Sequence, residues 1–494
     1  MSRLLRVFIG LLLTALVVWA IVIGYWKIAG IRPDVRALVL YLGVLPLGAF
    51  IVLALFKHGL SNARSKAESA QADALEGKGE SAATGEDSSP DEPATPVAIL
   101  ASALQLPPGN DPAGVLGAIA APASPQLHPK LKDASGYPVF ASWADDTDTD
   151  AVVQAFEAAG GKATDIRRFT EEQLRAVGLM LPVAQDLLAS VAAEDWLSPP
   201  APSGHATAQQ RPTAAAAPRL QASIFLPAEW PPLIRELVTA WFMEESRASG
   251  IPSDQVTAEV IPASGSNDVW RRLSQIASPS TPPPSARDLH LVLACHSQLG
   301  ERSIQRLDQA GQLLSAMRSE GVVPGEGAAG ILLLAPDAEH GFACPPKAVL
   351  HAHATTRDGV SWQTRTAIQQ MEGLLGQTLA KTPAARSDEV MAMVSDADLR
   401  KSRSTAVAGF MHQALAHLDP ESDCMATGTH CGHTGIVSPL VLLALAAEAA
   451  AANDHPVLAV AIAERDQRTI ALVSPPAPPA ADDAAESSSN AQAT

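Results

Sequence analysis

Two long apolar runs at the N-terminus constrain this chain more than any other feature. Val7–Trp26 and Ala37–Phe56 each hold twenty residues without a charged side chain. A helix needs about 20 apolar residues to cross the hydrocarbon layer of a membrane, so each run predicts one transmembrane helix. A cleaved signal peptide is the alternative, because Arg3 and Arg6 give the chain a basic start. The first run is too long for a signal peptide and a second run follows at once, so we expect a two-helix membrane anchor over residues 1–60.

Basic residues predict the orientation of this anchor, because Lys and Arg near membrane helices stay on the cytoplasmic side. Five lie outside the pair of runs (Arg3, Arg6, Lys57, Arg64, Lys66) and three lie in the loop between them (Lys27, Arg32, Arg36). We therefore expect both termini and the bulk of the chain in the cytoplasm. The four cysteines are too few for a disulfide scaffold in 494 residues and fit a reducing compartment.

Composition divides the remainder of the chain. Residues 61–127 are rich in Ala, Ser, Glu, Asp, Pro and Gly and predict a disordered acidic linker, with one short helix at Val97 to Leu104. Residues 476–494 predict a disordered tail. The net charge of −17 argues against a nucleic-acid surface, because phosphate binding needs clustered Lys and Arg.

Between linker and tail, segments typical of strands and helices alternate, which predicts an α/β layered fold. We divide it into an N-terminal α/β region, 128–288, and a C-terminal region, 289–475. Apolar runs such as Asp288 to Cys295 predict buried strands. A long helical segment is expected to be interrupted at Pro182, and "IQRLDQAGQLLSAMRSEG" predicts a single amphipathic helix.

Four pieces of the C-terminal region resemble β-ketoacyl synthases in order and spacing. They are the Pro-Gly-Glu-Gly-Ala-Ala turn that opens an apolar strand (Pro324 to Ala329), "AMVSDADLRKSRSTAVAGFMHQAL", "GHTGIVSPLVLLALAAEAA" and the final hairpin "VLAVAIAERDQRTIALVSP". The resemblance implies a thiolase-like fold with two similar αβαβα halves. We expect structural roles for the turn residues of the first and third pieces (Gly325, Glu326, Gly327, Gly432, Gly435).

The resemblance also implies a catalytic Cys and two His residues. His433 matches the second His, whereas the stretch that should carry the first, Val394 to Ala397, has none. No Cys precedes Cys295, although the nucleophile belongs well before the Gly-Glu-Gly turn. Groups that act as a unit do not work singly, so the expectation is a protein that is not an enzyme and needs no cofactor. His433 is then a vestigial catalytic candidate, or only a residue of a tight turn.

A metal site has little support in the sequence. Cys424, His430, Cys431 and His433 lie close together, but their spacing is not a standard zinc pattern. His351 and His353 alternate on one face of an expected strand without a third ligand. We therefore predict no metal ion.

The segment "LQASIFLPAEWPPLIRELVTAWFMEES" with the degenerate second half looks like the type VI secretion lipase adapter family. That resemblance implies a bacterial inner-membrane protein whose partners are a secreted lipase effector and a secretion spike protein, besides the lipid bilayer. Trp230, Trp241 and Phe242 are the candidate partner-binding residues, with a place in the core as the alternative. A non-catalytic adapter is the leading interpretation. The alternatives are an altered acyl-transfer enzyme that binds an acyl carrier or acyl-CoA, and a membrane-anchored scaffold.

Overall fold

The computed structural model describes residues 95–121, 125–145, 147–194, 196–197, 218–278, 288–335, 346–357, 360, 363–382 and 385–476. The chain divides into two units, Met1–Asp87 and Ser88–Thr494, and the described residues belong to the second. The predicted anchor at 1–60, the linker before residue 95 and the tail beyond residue 476 lie outside the described residues.

Strands and helices alternate as the sequence predicts. The strands are β1 (Val97–Gln105), β2 (Gln126–Lys132), β3 (Pro138–Ala141), β4 (Leu220–Pro227), β5 (Val256–Ala263), β6 (Leu289–Ser297), β7 (Glu326–Leu334), β8 (Ala348–Thr356), β9 (Ala392–Ser395), β10 (Cys424–Ala426), β11 (Val457–Ala461) and β12 (Arg468–Ser474). The helices are α1 (Pro112–Ile119), α2 (Thr149–Ala158), α3 (Ala163–Ile166), α4 (Glu171–Ala193), α5 (Pro232–Ala248), α6 (Ser266–Ala277), α7 (Glu301–Gln309), α8 (Thr364–Ala380), α9 (Lys401–Ala414), α10 (Gly428–Cys431) and α11 (Ser438–Asn453).

The two halves of the main sheet repeat one arrangement of strands. Its ten strands follow the order β10-β9-β11-β12-β8-β1-β7-β6-β4-β5. Strands β1, β4, β5, β6 and β7 of the first half occupy the same relative places as β8, β9, β10, β11 and β12 of the second. In each half the last two strands pair antiparallel and the strands before them pair parallel. The fold is therefore two copies of one α/β unit joined through β1 and β8.

Side chains alternate along each strand between two different cores, and the sheets and helices form five layers. On β6, Val292 and Ala294 face a core that also contains residues of α6 and α11, whereas Leu293 and Cys295 face the core around α4 and α5. On β11, Ala459 faces the central core, and its neighbours face a third core around α8 and α9. Successive side chains of a strand point to opposite faces, so α6 and α11 lie between the two half-sheets. This is the layered αβαβα architecture expected from the sequence.

Two helices of the described part are long and apolar enough to cross a membrane by length and composition, Glu171–Ala193 and the segment Gly435–Asn453. The most apolar window of Gly435–Asn453 is 83% buried inside the protein, as befits a core helix. A helix that is apolar on every side belongs either in a core or in a membrane. The segment Gly435–Asn453 packs inside the protein and is therefore a core helix. The membrane location stays a prediction that rests on residues 1–60.

Four sequence predictions about local structure are wrong. Val97 to Leu104 is strand β1 rather than a linker helix, because its apolar residues pair with β7 and β8 on both sides. Helix α1 and the start of β2 also lie in the predicted linker, so that linker cannot extend to residue 127. Helix α4 continues through Pro182, because buried side chains before and after it hold both parts on the same sheet. Helix α7 ends at Gln309, and Gly311 turns the chain with a φ of 67°.

The aromatic residues predicted to bind a partner lie in the core. Trp230, Trp241 and Phe242 are 6%, 4% and 0% exposed and pack in the cluster around α4 and α5. Helix α5 repeats its apolar residues at helical spacing, and this pattern serves burial against β5. These three side chains therefore form no docking surface on the described part of the chain.

Candidate functional site

The Gly-His-Thr-Gly turn before α11 packs directly on the turn before β7. Gly432 and Gly435 adopt φ of 64° and 57°, a region that favours glycine. The His433 N–H donates to the carbonyl oxygen of Val323 at 2.8 Å, and Pro324 pairs with His433 as an isolated bridge. The two predicted glycine turns are therefore one structural unit that fixes the backbone of His433.

The His433 side chain faces a carboxylate. Its Nε2 lies 3.9 Å from Glu464 Oε1, and the two side chains are 17% and 28% exposed. Burial lowers the pKa of His433, and the neighbouring Arg400 acts in the same direction. Burial also raises the pKa of Glu464. His433 is consequently a neutral imidazole at pH 7, and its Nε2 lies on the side of Glu464.

Asp396, at the end of β9, holds the loop that carries Glu464. Its carboxylate accepts the N–H groups of Ile462 and Ala463 at 2.5 and 2.9 Å and the hydroxyl of Ser438 at 2.6 Å. Where the resemblance implied an imidazole, the structure has a buried acceptor that joins β9, α11 and the loop 462–467. Its role in this arrangement is to position the loop.

Arginine side chains supply positive charge beside His433. Arg400 pairs with Asp398 at 2.7 Å and donates to the Ala463 carbonyl oxygen at 2.6 Å. Arg403 is 5% exposed, and burial together with Arg400 lowers its pKa to about 9. Guanidinium groups next to a neutral imidazole favour a ligand that carries, or develops, negative charge on oxygen.

The N-terminus of the other central helix reaches the same loop. Ser266, the first residue of α6, places its Oγ 3.5 Å from Oε1 of Gln467 in the loop 462–467. Ser264 lies two residues before it, has an exposed side chain, and donates its N–H to Asp268 Oδ2 at 2.8 Å. By the internal repeat, the turn between β5 and α6 corresponds to the turn that carries His433 between β10 and α11. Ser264 thus offers a hydroxyl in the turn of the first half that corresponds to the turn carrying His433 in the second.

The sequence analysis also missed His296, the penultimate residue of β6. Its Nδ1 lies 3.3 Å from the carbonyl oxygen of Thr434, the residue after His433. A polar, titratable residue at the end of a buried strand was the available signal, since the ends of parallel strands are where ligands bind.

A cleft of about 320 Å³ borders this region. Val323, Thr429 and His430 contribute to it from the two turns, and Trp143 and Pro108 form part of the opposite wall. Its volume falls in the range of small-molecule sites.

The residues weighed as metal ligands have other partners. His430 contacts Thr429 Oγ1 through Nδ1 and the Ala121 carbonyl oxygen through Nε2. His351 and His353 contact Ser474 and Ser274 at 2.6 and 2.8 Å. Within the described residues, no three His, Cys, Asp or Glu side chains are arranged to hold a metal ion.

The buried thiols are expected to resist alkylation. Cys295 and Cys431 are 0% and 1% exposed, and burial raises the pKa of both thiols, that of Cys431 to about 12. Because the thiolate is the reactive form, iodoacetamide at pH 7.5 should leave both unmodified in the folded protein and modify both in urea. Peptide mass spectrometry measures this directly. Rapid alkylation of native Cys431 would identify it as a nucleophile and remove the case for a hydroxyl.

Gly435→Ala is expected to lower the free energy of unfolding by about 1–3 kcal/mol, because the left-handed conformation is strained for alanine. Its Cβ would also overlap the imidazole of His296. Urea denaturation provides the measurement. Gly376→Ala in α8, where a Cβ meets nothing within 4 Å, is the matched control and should be neutral or slightly stabilising. Equal stability of both variants would show that the turn is not fixed as described.

Comparison with known proteins establishes the fold. No family model and no curated protein matches the sequence. The ketosynthase from module 6 of the bacillaene synthase of Bacillus subtilis 168 superposes with a TM-score of 0.50 at 9% identity, over 77% of this chain and 72% of that one. The oxazolomycin ketosynthase domain of Streptomyces albus JA3453 gives 0.50 at 12% identity, over 77% and 75%. The ishigamide ketosynthase/chain length factor gives 0.48 at 15% identity, over 77% and 99%. At these identities the two superpositions with a TM-score of 0.50 show a thiolase-like ketosynthase fold and nothing finer.

The prediction that this chain is not an enzyme is contradicted by these structures, because the proteins that share its fold are ketosynthases, which are enzymes. The prediction treated a missing thiol and a missing imidazole as the loss of a whole site. The structure instead brings His433, His296, Glu464 and the Ser264 turn to the same end of the central layer.

Proposed function

We propose that this protein is a ketosynthase-like acyl-transfer enzyme that takes an acyl group from a thioester of coenzyme A or an acyl carrier. The observation that carries the proposal is the pair of central helices, whose N-termini meet at the loop 462–467 with His433 beside one and Ser264 before the other. Acyl transfer needs an acceptor for the acyl group and a donor for the oxyanion, and this end of the molecule offers both kinds of group.

The acyl acceptor in this proposal is the hydroxyl of Ser264. The buried thiols Cys295 and Cys431 are unsuited, because burial disfavours their thiolate forms. The Oγ of Ser264 attacks the thioester carbonyl carbon, a C–O bond forms, and the C–S bond breaks. The proton of the hydroxyl ends on the departing sulfur, so the products are a seryl ester and a free thiol.

His433 serves the developing oxyanion rather than the nucleophile. A neutral imidazole with its proton on Nε2 is a hydrogen-bond donor, and the charge of Arg403 favours negative oxygen in the same region. The role needs no proton transfer from His433. A single imidazole therefore suffices for the oxyanion role.

The direct test is intact-mass spectrometry of the full-length chain, purified in mild detergent and incubated with octanoyl-CoA. We expect an adduct of one octanoyl group, localised to Ser264 by peptide mapping and released by hydroxylamine. Ser264→Ala should abolish the adduct, and His433→Ala should slow its formation by roughly 100-fold or more, as removal of an oxyanion donor does.

Ser422→Ala is the matched control, since this exposed hydroxyl contacts only Asp423 among the described residues. It should acylate at the rate of the unmodified chain. An adduct that persists in Ser264→Ala, or no adduct and no release of free coenzyme A from the unmodified chain, contradicts the proposed function.

The adapter interpretation stays a prediction, since no comparison supports a link to type VI secretion. The full-length chain, captured from its own organism and analysed by mass spectrometry, tests it. A lipase or spike protein among the captured proteins supports the adapter role, and an acyl carrier protein supports acyl transfer. Membrane fractionation of the same lysate tests the predicted anchor.

A further inference from the structure

His296 lies on the face of β6 that looks into the central layer. Strand alternation places it with Val292 and Ala294, whereas Ser297 faces the opposite way and donates its hydroxyl to Glu326 at 3.0 Å. The imidazole therefore points toward the helices α6 and α11, and it contacts the turn that begins α11.

The contact with Thr434 settles which ring nitrogen carries the proton. A carbonyl oxygen can only accept, so His296 Nδ1 must donate to it. Burial lowers the pKa of His296 to about 4, which leaves a neutral ring at pH 7 with a lone pair on Nε2. Among the described residues, Nε2 has no hydrogen-bond partner, so this lone pair is available to a ligand.

The turn is built around this ring. A side chain at Gly435 would overlap the imidazole, so glycine at this position leaves room for it. The turn thus fixes two imidazoles at once, His433 through its own backbone and His296 through the carbonyl oxygen of Thr434.

Sheet order places the ring at the same edge of the sheet as the proposed nucleophile. Strand β4 alone separates β6 from β5, and neighbouring strands are about 5 Å apart, so the ends of β6 and β5 lie on the order of 10 Å from each other. Ser264 follows β5 directly, and the imidazole of His296 extends into the layer where α6 begins. A substrate bound at this edge would have both an acceptor nitrogen and a hydroxyl beside its reacting carbonyl group.

We propose that His296 is the general base of the site: its Nε2 takes the proton from the attacking Ser264 hydroxyl and returns it to the departing thiolate sulfur. The inference rests on the proposed acyl transfer and divides the work between two imidazoles. His433 donates a hydrogen bond to the oxyanion, and His296 accepts the proton.

Replacing His296 by asparagine tests separately whether the side chain positions the turn and whether it transfers a proton. In His296→Asn the amide nitrogen occupies the place of Nδ1 and can still donate to Thr434, but nothing replaces Nε2. We expect octanoyl-CoA acylation to slow by roughly 100-fold to 10,000-fold, the usual share of a general base, with the melting temperature unchanged. Added imidazole should restore part of the rate to His296→Ala but not to Ser264→Ala.

His353→Asn is the control, because His353 is another buried imidazole in the central layer whose pKa burial lowers to about 4. It should acylate at the unmodified rate. The inference is overturned if His296→Asn acylates at the unmodified rate, or if imidazole does not raise the rate of His296→Ala. Either result leaves the proposed acyl-transfer function in place. Absence of any adduct in the unmodified chain overturns the proposed function instead, and the role of His296 with it.

Discussion

Replacing Arg175 by alanine is expected to lower the free energy of unfolding by about 3–5 kcal/mol, because it leaves a buried carboxylate without its charge partner. Glu326, at the start of β7, is 0% exposed, and Arg175 of α4 is its ion-pair partner. The Arg175 guanidinium also donates to the Ala144 carbonyl oxygen at 2.8 Å. Glu326 accepts from Ser297 and from the Ala144 N–H, and these bonds alone do not neutralise it. Urea denaturation followed by tryptophan fluorescence measures the loss.

Two further variants make this prediction specific. Arg247→Ala removes a pair with Glu244 on α5 whose side chains are 57% and 55% exposed, and should cost no more than about 1 kcal/mol. The double variant Arg175→Met/Glu326→Gln removes both charges and should recover most of the stability lost by Arg175→Ala. Similar losses for Arg175→Ala and Arg247→Ala would show that Glu326 is not buried as a charge.

The loss of the Arg175–Glu326 ion pair should also affect the candidate site, because Glu326 follows Pro324 and Gly325 in the turn that packs against His433. A Cβ at Gly325 would overlap the Cys431 carbonyl oxygen, so the two turns have no space between them. Arg175→Ala should therefore slow acylation as well as destabilise the fold. Arg247→Ala should change neither.

The layered fold could be predicted from sequence because its signals are local. Apolar runs such as Leu289 to Cys295 become strands buried on both faces, and the uniformly apolar α11 becomes a central core helix. The same reasoning failed at β1, since an acidic surrounding composition masked an apolar run whose partners β7 and β8 are remote in sequence. Pairing between distant strands carries no local signature.

The candidate site was harder to predict because its members come from both halves. His433 was found through the motif around it, and Asp396 through the absence of an imidazole. His296 and Ser264 belong to no motif in the sequence, and only the internal repeat and the order of β5, β4 and β6 bring them to the same edge. The inference that the chain is not an enzyme was wrong because it relied only on expected residues at expected positions. Those positions do not reveal which side chains of other strands lie at the same end of the molecule.

Removal of the Asp396 carboxylate should cost roughly 2–6 kcal/mol, the largest effect expected from one side chain near the site. In Asp396→Ala the N–H groups of Ile462 and Ala463 lose their acceptor in a buried place, and each unsatisfied donor costs about 1–3 kcal/mol. The Ser438 hydroxyl loses its partner as well. Because the loop 462–467 carries Glu464, acylation should fall together with stability.

Asp396→Asn distinguishes the hydrogen bonds from the charge. The amide oxygen can still accept from the loop, so stability at pH 7 should be much closer to that of the unmodified chain.

Burial raises the pKa of Asp396, so the folded state binds this proton more tightly than the unfolded chain does. Its contribution to stability is therefore fully present below the unfolded pKa and declines as pH rises through the folded pKa. Denaturation of both chains from pH 4 to pH 8 should show that decline in the unmodified protein and a flatter profile in Asp396→Asn. If the stabilities of the unmodified protein and Asp396→Asn change in parallel with pH, the titrating group is not Asp396. Equal stability of Asp396→Ala and Asp396→Asn would show that Asp396 does not hold the loop.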